Sequence, residues 1–102
     1  MQALLTLAPP LAHIRLDGNF TFEAHRTFKE ATTPALDHSA VKQIEVDFAD
    51  VGYLDSAALG MLLLLNERAA GRQVRLINVK GTVRSVLEIA NFGKLFEIDF
   101  VD

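Results

Sequence analysis

Between Gln43 and Arg68 the hydropathy of the chain changes its period, and that change constrains the fold more than any other feature. Ile44, Val46 and Phe48 alternate with Glu45 and Asp47, the period of a strand with one face buried. After a short acidic loop, residues 57–65 are apolar without interruption by proline or a β-branched side chain, which predicts a helix. Asp55 or Ser56 is the natural N-cap of that helix, since either side chain accepts a hydrogen bond from the free N–H groups of the first turn. The positive end of the helix dipole favours an anion at the same place, so the fold would tolerate a phosphate on Ser56.

The rest of the chain supplies units of the same two kinds. Strands are predicted over Ala3 to Leu7 and Ala12 to Leu16, joined through Pro9 and Pro10, with a turn at Asp17, Gly18 and Asn19. A helix follows in which Phe20, Ala24, Phe28 and Ala31 recur at helical spacing; Thr21 is its expected cap, and Pro34 is expected to begin a new helical turn that runs out near Ala40. The central strand is Gln43 to Phe48. Beyond the second helix, Gly71 supplies a stop and Gln73 to Asn78 reads as a strand. Gly81 and Thr82 open a third helix whose apolar positions are Val83, Val86, Leu87 and Ala90; it ends at Asn91 to Gly93, and Phe96, Ile98 and Phe100 mark a last strand. The order β-β-α-β-α-β-α-β predicts an α/β domain, a mixed sheet packed with helices through handed crossovers. In that arrangement the turn Gly18 to Thr21 and the cap Gly81–Thr82 should lie near Ser56.

Composition narrows the function. A chain of 102 residues, half of them hydrophobic, suits one domain with one core. Ten basic residues against 13 acidic ones give a net charge of -3 with no lysine or arginine cluster, which argues against a nucleic-acid partner. There is no cysteine, hence neither a disulfide framework nor a thiolate metal site. The N-terminal segment lacks the basic start and long apolar core of a signal peptide, and residues 57–65 fall far short of the roughly 20 that span a bilayer. A soluble cytoplasmic protein without a membrane span is expected.

Asp55, Ser56, Ala57, Ala58, Leu59 and Gly60, followed by an aliphatic helix and set in this element order, resemble the STAS domain, in particular the bacterial anti-sigma factor antagonists. The resemblance covers nearly the whole chain and implies a single STAS domain over residues 1–102. It implies that Ser56 is a phosphoacceptor and that Asp55, Ala57, Ala58 and Leu59 meet a partner, with Gly18, Asn19, Thr21, Gly81 and Thr82 as a second rank. The implied partners are a serine-kinase anti-sigma factor, bound by the unphosphorylated form, and a metal-dependent serine phosphatase that resets the switch. No cofactor and no metal of its own are implied. The chain departs from the family pattern in two ways: many members have Ser and Gly where Ala57 and Ala58 stand, and many carry a further helix after the last strand, whereas this sequence ends at Asp102.

Catalysis by the chain itself is not expected. A nucleophilic serine needs an oriented base, and His13 in a strand, His25 on a helix and His38 in a loop form no recognisable hydrolase arrangement. Ser56 reads instead as the substrate of another enzyme that brings ATP, magnesium and the base. Two other readings compete: a STAS subunit of a different assembly, such as a lipid-transport or stress-sensing complex, and an acidic module in which Asp47, Asp50 and Asp55 hold magnesium as in receiver-type domains. Against the second, no lysine or threonine follows in the expected order.

Overall fold

The computed structural model describes residues 1–101. Strands β1 (Gln2–Ala8) and β2 (Leu11–Asp17) precede helix α1 (His25–Asp37), strand β3 (Gln43–Asp50), helix α2 (Ser56–Arg68), strand β4 (Gln73–Val79), helix α3 (Gly81–Ile89) and strand β5 (Glu97–Phe100). The element order is the one the periodicities predict. The five strands form one sheet in the order β1-β2-β3-β4-β5, with β1 antiparallel to β2 and the remaining pairs parallel.

Spatial order equal to chain order has a physical consequence. A βαβ crossover is right-handed in nearly all proteins, and three in succession that move the chain one strand over in the same direction place α1, α2 and α3 on the same face. The buried alternates of the strands point there: Ile14 and Leu16 of β2, Ile44, Val46 and Phe48 of β3, Val74 and Leu76 of β4. The Phe20 ring packs at a tilt against Phe28 of α1 and Phe48 of β3, and Met61, Leu62 and Leu65 complete the core from α2.

Among the described residues no helix covers the opposite face, which is mostly polar. Register places Thr6, His13, Glu45, Arg75 and Glu97 in one row across all five strands. His13 bridges Glu45, at 3.1 Å, and Asp47, at 3.3 Å; Arg75 reaches Glu45 at 3.3 Å and also pairs with Glu97 and Asp99. Parallel sheets are ordinarily covered on both sides. Here a cross-strand ladder of opposite charges replaces the second layer, the favourable alternative to like charges facing each other across strands.

Three local expectations change. Helix α1 starts at His25 rather than at the Phe20 turn: a 3-10 turn over Phe22–Ala24 precedes it, and the Thr21 side chain makes no capping bond. Pro34 starts no new turn but lies inside one continuous helix, where the hydroxyls of Thr32 and Thr33 bond to the carbonyls of Phe28 and Lys29. Lys80, not Gly81–Thr82, occupies the N-cap position of α3, and its side chain makes no capping bond.

Candidate functional site

The two loops that leave the C-terminal ends of β2 and β3 are stitched together. Gly18 N–H donates to the Asp50 carbonyl (3.0 Å), Phe20 N–H to Tyr53 (2.9 Å), and Asp55 N–H back to Phe20 (3.2 Å), so Phe20 and Leu54 form a parallel bridge with both side chains buried. Gly18 has φ +109 and a Cβ there would stand 3.4 Å from the Met1 backbone, which explains a glycine at the point where β2 turns away.

Asp55 fastens this platform to α2. Its backbone is extended (φ -108, ψ -179), the conformation of an N-cap, and its Oδ1 accepts from Ala58 N–H at 3.0 Å. Its other oxygen, Oδ2, accepts from Phe22 N–H at 3.1 Å. One carboxylate therefore caps α2 and holds the turn that leads into α1. The cap is Asp55, and Ser56 becomes the first residue of the helix, exposed, with no hydrogen bond to its hydroxyl among the described residues.

Around Ser56 the expected partner residues separate. Ala57 and Leu59 are half-buried, and Asn19 and Thr21 lie on the adjoining loop. Ala58 is 0% exposed, so it offers a partner no surface; its small side chain packs beneath the helix. Gly81 and Thr82 are exposed at the C-terminal end of β4, the strand beside β3, without a hydrogen bond to the Ser56 loop among the described residues. Two exposed aromatic side chains lie on the same paired loops: Phe22, 72% exposed, whose N–H donates to Asp55, and Tyr53, 48% exposed, three residues before the serine. In the sequence they carry no signal of their own, since an aromatic side chain is more often buried than exposed.

The acidic alternative does not assemble. Asp47 is taken by His13, Asn78 and the Ala49 N–H, Asp50 by Arg15, and Asp55 by the two N–H groups above. Among the described residues no group of three ligating side chains converges. The Arg15 guanidinium is held even more firmly protonated than usual, first by its hydrogen bond to Asp50 and then by that carboxylate's charge.

This architecture, a helix beginning at a serine and set on paired loops at the strand ends, defines a class of α/β domains, and comparison with known proteins identifies it. The chain belongs to the STAS domain family: the model described as "Mlab, STAS domain" matches residues 5–98. A STAS-domain containing protein from Pseudomonas aeruginosa is 42% identical over 92 residues, spanning 83% of this chain and 84% of that protein. An anti-sigma factor antagonist from Mycobacterium paratuberculosis has the same fold (TM-score 0.86, 14% identity, 96% of this chain and 84% of that one). So does the phosphorylated form of the Bacillus cell fate determinant SpoIIAA (TM-score 0.71, 21% identity, 94% and 89%). A sulfate transporter family protein from Wolinella succinogenes shares it as well (TM-score 0.72, 16% identity, 92% and 80%). Among the described residues no helix is long and apolar enough to cross a membrane.

Proposed function

We propose that this protein is an anti-sigma factor antagonist that works by partner switching, with Ser56 as the residue whose phosphorylation sets the switch. One observation carries the reading: Ser56 stands exposed at the first helical position with its hydroxyl unbonded, while Asp55 does the capping. Because no native hydrogen bond is spent on the hydroxyl, a phosphate can be added without undoing the helix start.

The chain's part in the chemistry is that of an acceptor. In the active site of a serine-kinase anti-sigma factor, Ser56 Oγ would attack the γ-phosphorus of ATP; the O–P bond forms, ADP leaves, and the hydroxyl proton passes to a base of the kinase. The product carries about -1.5 to -2 charge. The free N–H groups and dipole of α2 stabilise that charge, while Asp55 beside it prevents any gain from being large. A partner surface that closes over Ala57, Leu59, Phe22 and Tyr53 in the unphosphorylated form would then have to bury a solvated dianion, which is costly without a matched cation. Binding is lost although the fold is kept, and a metal-dependent serine phosphatase restores the first state.

A second reading, a STAS subunit of another assembly, draws on the family model that matches, which is that of Mlab. The two part in a single experiment: intact mass and phosphosite mapping of the protein purified from its own cells, beside Ser56→Ala, with identification of what co-purifies. Phosphate on Ser56 of the natural protein and a kinase retained by the variant are the expected result. Unmodified Ser56 under all growth conditions, with a transporter complex bound, would replace the first reading by the second.

A further inference from the structure

Helices α1 and α2 run side by side, and between them lies a groove of about 280 Å³. Its floor is apolar: Phe28 from α1 and Met61, Leu64 and Leu65 from α2, with Leu64 left 48% exposed. Thr32, also in the groove, turns its hydroxyl to the Phe28 and Lys29 carbonyls of its own helix and offers nothing polar to an occupant. The rim is basic: His25 and Lys29 on one side and Arg68 on the other, with no carboxylate in the lining. That is unexpected on a chain with net charge -3.

The pairing pattern of the cations sharpens the point. Arg15, Arg75 and Arg84 each pair with carboxylates, and Arg72 and Lys42 bond to backbone carbonyls; Arg26, Lys80 and Lys94, outside the groove, have no side-chain partner among the described residues. The side chains of His25, Lys29 and Arg68 have no hydrogen bond or ion pair among the described residues. Arg72 bonds to the carbonyls of Leu36 in α1 and Ala69 beyond α2, which ties the far ends of the helices and holds the groove in shape. Along α1 the lined stretch from His25 to Thr32 is two turns, about 10 Å at the helical rise of roughly 1.5 Å per residue.

An apolar trough two turns long, between helices, flanked by uncompensated positive charge and preformed, matches one kind of occupant. We infer that the α1–α2 groove is a docking site for an amphipathic helix of a partner protein that presents two or three apolar side chains flanked by glutamate or aspartate. Helix-in-groove recognition uses apolar anchors one turn apart for affinity. The flanking charge pairs set orientation and speed encounter more than they add affinity. The site is separate from Ser56 and does not depend on its phosphorylation.

The test uses the full chain, isotopically labelled, titrated with two synthetic helical peptides of identical leucine stripe, one flanked by glutamate and the other by lysine. The glutamate peptide should move the amide resonances of residues 25–32 and 61–68 saturably, more weakly as salt is raised. The double variant Lys29→Glu/Arg68→Glu should weaken it about tenfold and reverse the preference toward the lysine peptide. Both substitutions lie on exposed side chains, and an unchanged melting temperature would verify that the variant folds. Equal affinity for the two peptides, or shifts confined to the Ser56 loop, would overturn the inference. So would laurate producing the same shifts where the glutamate peptide produces none, which would assign the groove to a small anionic amphiphile, or Leu64-dependent dimerisation in sedimentation, which would assign it to a second copy.

Discussion

At the scale of the residue, function and stability are divided between neighbours. Asp55 accepts two backbone N–H bonds that join α2 to the turn before α1, whereas Ser56 accepts none through its side chain. Asp55→Ala should therefore cost about 1–2 kcal/mol in chemical denaturation, the range of a lost N-cap with a second bond added, and Ser56→Ala should stay within about 0.5 kcal/mol. Equal losses would mean that the two residues share the capping role. The sequence narrowed the site to this pair but left the cap open, because both side chains are good cap acceptors. The backbone dihedrals that decide between them depend on how the loop is pinned by Phe20, thirty-odd positions earlier in the chain. The exposed Phe22 and Tyr53 were illegible for a related reason: aromatic residues suggest core until the register shows them facing outward.

At the scale of the element, the polar face of the sheet makes its own prediction. Arg75 sits in the middle of the charge ladder and reaches Glu45 on β3 and Glu97 and Asp99 on β5. β5 is an edge strand of four residues, and two of its side chains depend on that guanidinium. Arg75→Met keeps the stem and removes the charge, so the loss should be modest globally, about 1 kcal/mol, because partly exposed pairs are screened. Locally it should be larger. Hydrogen exchange of the β5 amides should accelerate before that of β3 or β4, and high salt should bring the natural protein toward the variant. Uniform acceleration would show that the ladder does not anchor the edge. Element types were legible from the strand alternation of Gln43 to Phe48 and from the unbroken apolar run of residues 57–65, which holds neither proline nor a β-branched side chain. Pro34 was misjudged because local propensity treats an internal proline as a break, while the packing of Phe28 and Ala35 on either side holds α1 as one helix.

At the scale of the whole molecule, the one-sided arrangement separates the core from the switch. The alternation of His13 and Arg15, Glu45 and Asp47, Arg75, Glu97 and Asp99 was present in the sequence. Its meaning, an entire open face, appears only once the strands line up in chain order and all three crossovers fall on the other side. Helix α2 belongs to both halves of the design: its buried stripe, including Leu62 at 0% exposure, lies against the sheet, and its first residue, Ser56, stands clear at the strand ends. Thermal melting of two variants on this one helix tests the separation. Leu62→Ala removes core contacts and leaves a cavity, a loss of about 2–5 kcal/mol that should lower Tm by roughly 10 °C or more in a domain of this size. Ser56→Asp places a carboxylate beside Asp55 at a helix start that stabilises it, and the shift should stay within about 4 °C. A drop for Ser56→Asp as large as that for Leu62→Ala would mean that charge at this position unfolds the domain. Phosphorylation would then act by destroying the structure instead of by closing one surface to a partner.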